Sequence, residues 1–107
     1  MTQVTIYKND MNECVGFRAS GHAGFDEEGY DIVCAAVSVL TIHTVNAIDT
    51  YTDDQFEVSS NQEDGVIEFQ ITDPSKEATL LLNAMILGLQ DVAKNYENYI
   101  VLKFEEV

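Results

Sequence analysis

A chain of 107 residues, 46% of them hydrophobic and 9% aromatic, with one Pro and no Trp, has the composition of a single globular domain rather than a disordered tail. Its 19 Asp and Glu against 5 Lys and Arg give a formal net charge of -14, a field that repels phosphate backbones and anionic lipid and argues against nucleic acid or membrane as a direct partner. The 2 cysteines and 2 histidines fall into no metal-ligand spacing, so no metal or other cofactor is expected.

The N-terminal MTQVTIYKND lacks the basic and apolar segments of a signal peptide, and no run of the chain is expected to approach the length of a membrane span; a cytoplasmic protein with reduced thiols is expected. Val4 and Ile6 alternate with Thr5 and Tyr7, and Val15, Phe17 and Ala19 alternate with Gly16, Arg18 and Ser20. Two half-buried strands joined by the turn Asn9-Asp10-Met11-Asn12 follow from that period of two. Cys14 then falls on the polar side of the second strand and is assigned no role.

From Asp31 to about Tyr51 the sequence is long and Ala-rich at its start, with Asp31 as an N-cap candidate, and reads as a helix. Its apolar residues, among them Val33, Val37, Val39, Ile42, Val45 and Ile48, run nearly all the way round, so burial on more than one side is expected. A second subunit would supply the extra cover, which points to a homodimer. His43, inside this helix, reads as a packed or interface residue.

Phe56 and Val58, the turn Gln62-Glu63-Asp64-Gly65, and Ile67, Phe69 and Ile71 make a second hairpin. Asp73-Pro74 supplies an N-cap and a first-turn proline for a second helix reaching about Tyr96, with the core stripe Leu82, Met85, Ile86, Leu89, Val92, Ala93 and Tyr96. Ile100, Leu102 and Phe104 close the chain as a strand. The order ββαββαβ over residues 1–107 describes one domain of α/β (α+β type) class, a two-layer sandwich with a mixed sheet and both helices on one face.

The stretch GHAGFDEEGYDIVCAAVS, residues 21 to 38, concentrates the chemistry. With Asp31 as cap, Cys34 falls in the first helical turn, where unpaired N–H groups and the helix dipole favour a thiolate. The eight residues from Ala23 to Tyr30 are enough for His22 to fold back toward Cys34 as a base, and Gly21, Gly24 and Gly29 permit the sharp turns of a substrate-gating loop. A plainer reading stands beside it: a Cys followed by Ala-Ala is commonly a buried small hydrophobe, and a His between glycines a plain loop residue. Asp31 has two competing roles, capping the helix or orienting His22. Ser38, one turn after Cys34, either bonds within the site or satisfies a helix carbonyl. Asp26, Glu27 and Glu28 read as solvated acids, with contact to a basic substrate as the alternative.

Gly21-His22-Ala23-Gly24 followed by Asp31-Ile32-Val33-Cys34-Ala35-Ala36-Val37-Ser38 resembles the signature of the bacterial ribosomal-processing cysteine protease family, and the similarity runs over the whole chain. That resemblance implies a catalytic dyad of His22 and Cys34 in a homodimer. It also implies a substrate: the precursor of a large-subunit ribosomal protein, whose short N-terminal extension is removed by a cut after an aromatic pair and before a small residue. Thiol attack with His22 as general base and then general acid suits the two residues, and N–H groups at the helix start, that of Cys34 included, are expected to hold the oxyanion. The competing reading is a non-catalytic acidic ribosome-assembly or protein-binding module in which Cys34 is inert. RNA binding ranks behind both, because no basic patch interleaved with aromatics is visible.

Overall fold

The computed structural model describes residues 1–21, 28–61, 63 and 65–107, with the backbone but not the side chains of 28–31. The alternation at the start of the chain forms β1 (Thr2–Lys8) and β2 (Cys14–Ser20), paired antiparallel. Between them Asn9 organises the turn. Its Oδ1 accepts the N–H groups of Met11 at 3.0 Å and Glu13 at 2.9 Å, and Asn12 takes a φ of 62°, the left-handed conformation that Asn tolerates.

Tyr7 faces Gly16 but Lys8 faces Cys14, so Val15 is an extra residue on β2. A bulge of this kind reverses the side-chain alternation beyond it. Cys14 therefore lies in the hydrophobic core and is fully buried, contrary to its expected place on the polar side. Its thiol donates to the Gly16 carbonyl at 3.4 Å, and burial pushes its pKa up.

The first helix, α1, spans Glu28–Tyr51 and starts three residues before the expected Asp31. Asp31 is thus a helical residue and not the N-cap. The packed apolar face downstream outweighs the cost of about 1 kcal/mol for Gly29 within the helix. Contrary to expectation, Ile32–Tyr51 is long and apolar enough, by length and composition, to cross a membrane. One side of it is core: Val33, Val37, Thr41, Thr44, Val45 and Ile48 are buried, and Thr41 and Thr44 return their hydroxyls to carbonyls four residues back. Among the described residues the expected second layer of burial is missing: Ile32, Val39 and Ile42 stand exposed, as does His43.

The second hairpin comprises β3 (Phe56–Asn61) and β4 (Val66–Ile71), with Gly65 at a φ of 64° in the turn; Gln62 and Asp64 of that turn lie outside the described residues. The second helix, α2 (Lys76–Asn95), is capped by Ser75 and not by Asp73. Ser75 Oγ accepts the Ala78 N–H at 3.0 Å, the reach of a cap to the third helical residue, and the Ser75 N–H is held by Asp54 Oδ2 at 2.7 Å. Asp73-Pro74 precedes this cap as turn.

The last strand, β5 (Ile100–Glu106), lies parallel to β1, and the sheet order is β3-β4-β2-β1-β5. Four antiparallel or parallel pairings make the sheet mixed, as expected. Val4, Ile6, Phe17, Ala19, Phe69, Ile71 and Ile100 from one face of it join Val33, Val37, Ile48, Leu82, Met85 and Leu89 from the helices in a single core. Both helices therefore cover one face. On the other, Arg18 pairs with the cross-strand Glu68 at 2.9 Å, an exposed ion pair that contributes little.

Candidate active site

The start of β1, the end of β2, the first half of α1, the β3–β4 turn and the start of β4 meet at one end of the sheet. They enclose a cavity of about 110 Å³ lined by Thr2, Ala19, Ser20, Gly21, Cys34, Val37, Ser38, Thr41, Gly65 and Ile67. The lining is small and mostly neutral, and it includes the thiol of Cys34.

Cys34 is the seventh residue of α1, on the second turn, and is half-buried. The expectation that it sits at the helix start is thereby corrected. Dipole effects fall off within the first turn, and an N–H this far into a helix is taken by the carbonyl four residues back. Neither a first-turn thiolate nor an oxyanion donor at the Cys34 N–H follows from this geometry.

What surrounds the sulfur is instead tertiary. Thr2 Oγ1 lies 3.4 Å from Cys34 Sγ. Gly21 closes the other side: a Cβ built on it would lie 3.0 Å from Thr2 Oγ1 and 3.5 Å from Cys34 Sγ. Gly21 is held in turn by Gly65, whose carbonyl accepts the Gly21 N–H at 3.1 Å and whose own Cβ, were there one, would come 1.9 Å from the Gly21 carbonyl oxygen. Absence of side chains at both glycines is what lets the two backbones touch.

His22 and Gly24 lie outside the described residues, as do Asp26 and Glu27, and of Gly29 and Asp31 only the helical backbone is described. The structure nonetheless carries the chain to within contact of Cys34 at Gly21, the residue immediately before His22. Ser38 is brought to the same cavity and is exposed. Among the described residues, hydroxyls returning to carbonyls within α1 are those of Thr41, Thr44 and Thr52, and Ser38 is not among them. His43 and Cys14 are not part of this cavity.

Two residues of this arrangement escaped sequence reasoning. Thr2 shares the even-numbered face of β1 with Val4 and Ile6, and a polar residue on a buried face was the available signal. Gly65 was legible as turn chemistry, whereas its contact with Gly21 was not.

A two-layer α+β fold with a half-buried cysteine on a small cavity defines a candidate thiol enzyme, and the comparisons name the class. The family described as "Cysteine protease Prp" matches residues 1–101. The ribosomal processing cysteine protease Prp of Staphylococcus aureus is 31% identical over 106 residues, covering 98% of this chain and 100% of that protein. Its crystal structure with a substrate peptide superposes with a TM-score of 0.92 at 30% identity, covering 98% of this chain and 100% of that one. A second crystal structure, with a covalently linked product peptide, gives a TM-score of 0.88 at 31% identity over the same shares, 98% and 100%. The chain belongs to the Prp family of cysteine proteases.

Proposed function

We propose that this chain is a cysteine endopeptidase that removes the N-terminal extension of a large-subunit ribosomal protein precursor, with Cys34 as nucleophile and His22 as general base and acid. The observation that carries the reading is the placement of Cys34 Sγ on a small cavity, against the glycine that precedes His22. Relatives named for ribosomal processing, one crystallised with a covalently linked product peptide, support the substrate class and a covalent step.

In this mechanism His22 takes the thiol proton and the Cys34 sulfur attacks the scissile carbonyl carbon. The tetrahedral adduct then collapses to a thioester as protonated His22 delivers the proton to the leaving amine. Water, deprotonated by His22, releases the acid and restores the thiol. Asp31, no longer a cap, is left the role of orienting His22 from one turn before Cys34, and Ser38 that of a polar contact to substrate. The net charge of -14 draws a basic precursor toward the site.

A homodimer belongs to the same proposal. From Ile32 to Ile48 α1 contains no Asp, Glu, Lys or Arg, and Ile32, Val39 and Ile42 are exposed there. In so acidic a protein, this is a face on which two copies meet without apposing like charges.

Incubation with the extended precursor tests the function. Wild type is expected to release the extension, and Cys34→Ala and His22→Ala to leave it uncut with their fold intact. Cleavage that survives Cys34→Ala would sink the mechanism. Binding of the precursor by wild type without any cleavage would instead favour the acidic assembly module.

A further inference from the structure

We infer that the Thr2 hydroxyl is a functional partner of the nucleophile, donating a hydrogen bond to the Cys34 thiolate and fixing its sulfur at the cavity wall. This rests on the reading of Cys34 as nucleophile and adds a residue from the far end of the sequence to that site.

Thr2 is 2% exposed, although it is polar and only one residue from the start of the chain. Its backbone is anchored at the first rung of the parallel β1–β5 pairing: it faces Ile100, and its N–H donates to the Tyr99 carbonyl at 3.0 Å. The side chain is β-branched, with one stiff torsion, and both of its branches abut Gly21. A Cβ on that glycine would lie 3.0 Å from the Thr2 oxygen and 3.5 Å from its methyl. The hydroxyl is thus held in place, 3.4 Å from Cys34 Sγ, before any substrate arrives.

In the thiol state either group can donate to the other. Once the thiol proton leaves, only the Thr2 O–H can donate, so the bond acquires a fixed direction and an ionised acceptor, and it strengthens. The same contact stabilises the reactive form of the sulfur and holds it in one rotamer. The side chains described around the cavity, from β1, β2, α1, β4 and the hairpin turn, include no titratable group besides Cys34 itself. His22, Asp26, Glu27, Glu28, Tyr30 and Asp31 are the further titratable groups near it in sequence, and all are left unchanged in the test.

The test compares wild type, Thr2→Val and Thr2→Ser by the pH dependence of iodoacetamide alkylation at Cys34 and by cleavage of the extended precursor. Val matches the shape of Thr and favours strands, while Ser keeps the hydroxyl and drops the methyl. Buried Cys14 reports in the same mass spectra whether a variant has opened, because it alkylates only on unfolding. Thr2→Val is expected to move the alkylation midpoint up by about 0.5–1 pH unit and to lower kcat about five- to tenfold with KM changed less than about twofold. Thr2→Ser is expected to stay within about twofold of wild type. A wild-type midpoint and kcat in Thr2→Val would overturn the inference. So would equal losses in Thr2→Ser and Thr2→Val, which would assign Thr2 to packing. Cleavage by Cys34→Ala is a separate result that removes the nucleophile reading itself.

Discussion

Substituting Gly65 by Ala probes the clasp that seats Gly21 beside Cys34. Three costs act together. An L-residue at a φ of 64° costs about 1–2 kcal/mol. The new Cβ, 1.9 Å from the Gly21 carbonyl oxygen, cannot stay there, and real contacts of this kind do not fall below 3.0 Å, so one backbone must retreat by an ångström or more. That retreat breaks the Gly21 N–H to Gly65 carbonyl bond of 3.1 Å, worth about 1 kcal/mol. The sum, about 2–3 kcal/mol, corresponds to a fall in Tm of roughly 10–20 °C for a chain of this size.

Gly88→Ala is the control. A Cβ there would meet Leu40 Cδ2 at 2.8 Å, the movable end of a side chain, and the helix gains up to about 1 kcal/mol in propensity. Little net change is expected. Circular dichroism melts of both variants give the stability, and kcat/KM on the precursor gives the site. Because an ångström of misplacement at a reacting group can cost about a hundredfold, Gly65→Ala is expected to lose activity on that order even at temperatures where it is folded. A Gly65→Ala protein that melts within about 2 °C of wild type and cleaves at the wild-type rate would refute the clasp.

At the far end of the sheet, hydrogen bonds from the Ser75 hydroxyl and then its N–H hold the Asp54 carboxyl below its usual pKa. A depressed carboxylate contributes stability that is present above its unfolded pKa and lost as pH falls through the folded one. Asp54→Asn is therefore expected to melt lower than wild type at neutral pH and to close that gap in acid, as melts across the acid range would read. Cys14 has the opposite sign. Its pKa is raised by burial, so its contribution is complete below the unfolded thiol pKa and is lost as pH rises toward the folded value; Cys14→Ala is expected to show a shallower alkaline decline in urea midpoint than wild type. Val39, 66% exposed in the uncharged stretch of α1, tests the dimer: Val39→Asp is expected to shift sedimentation toward monomer, and a wild type that already sediments as monomer would exclude that interface.

Much of the fold was legible because hydrophobic periodicity reports burial directly. Val4 and Ile6, Phe17 and Ala19, and the stripe from Leu82 to Leu89 sit where periods of two and of 3.6 residues put them. The family signature around His22 and Cys34 was equally a property of sequence. Local signals failed where a competing local choice existed. Asp31 and Asp73 are both good caps in isolation, yet α1 runs on upstream to Glu28, and Ser75, secured by Asp54 from another loop, takes the cap of α2. Cys14 was misread because a bulge of one residue at Val15 reverses the alternation, and no periodicity can register an insertion that only the partner strand reveals.

By itself, then, the sequence determined the element order, the core faces and the identity of the cysteine to suspect. The tertiary structure decided what frames that cysteine. Helix position was the expected source of a thiolate, but Cys34 lies beyond the first turn of α1, where the dipole no longer reaches it with force. Its neighbours are Thr2 from the first strand and Gly21 pinned by Gly65, residues separated along the chain by tens of positions and joined only when the sheet closes. Contacts of that kind depend on strand register and on the absence of two side chains, and neither leaves a periodic trace in the sequence.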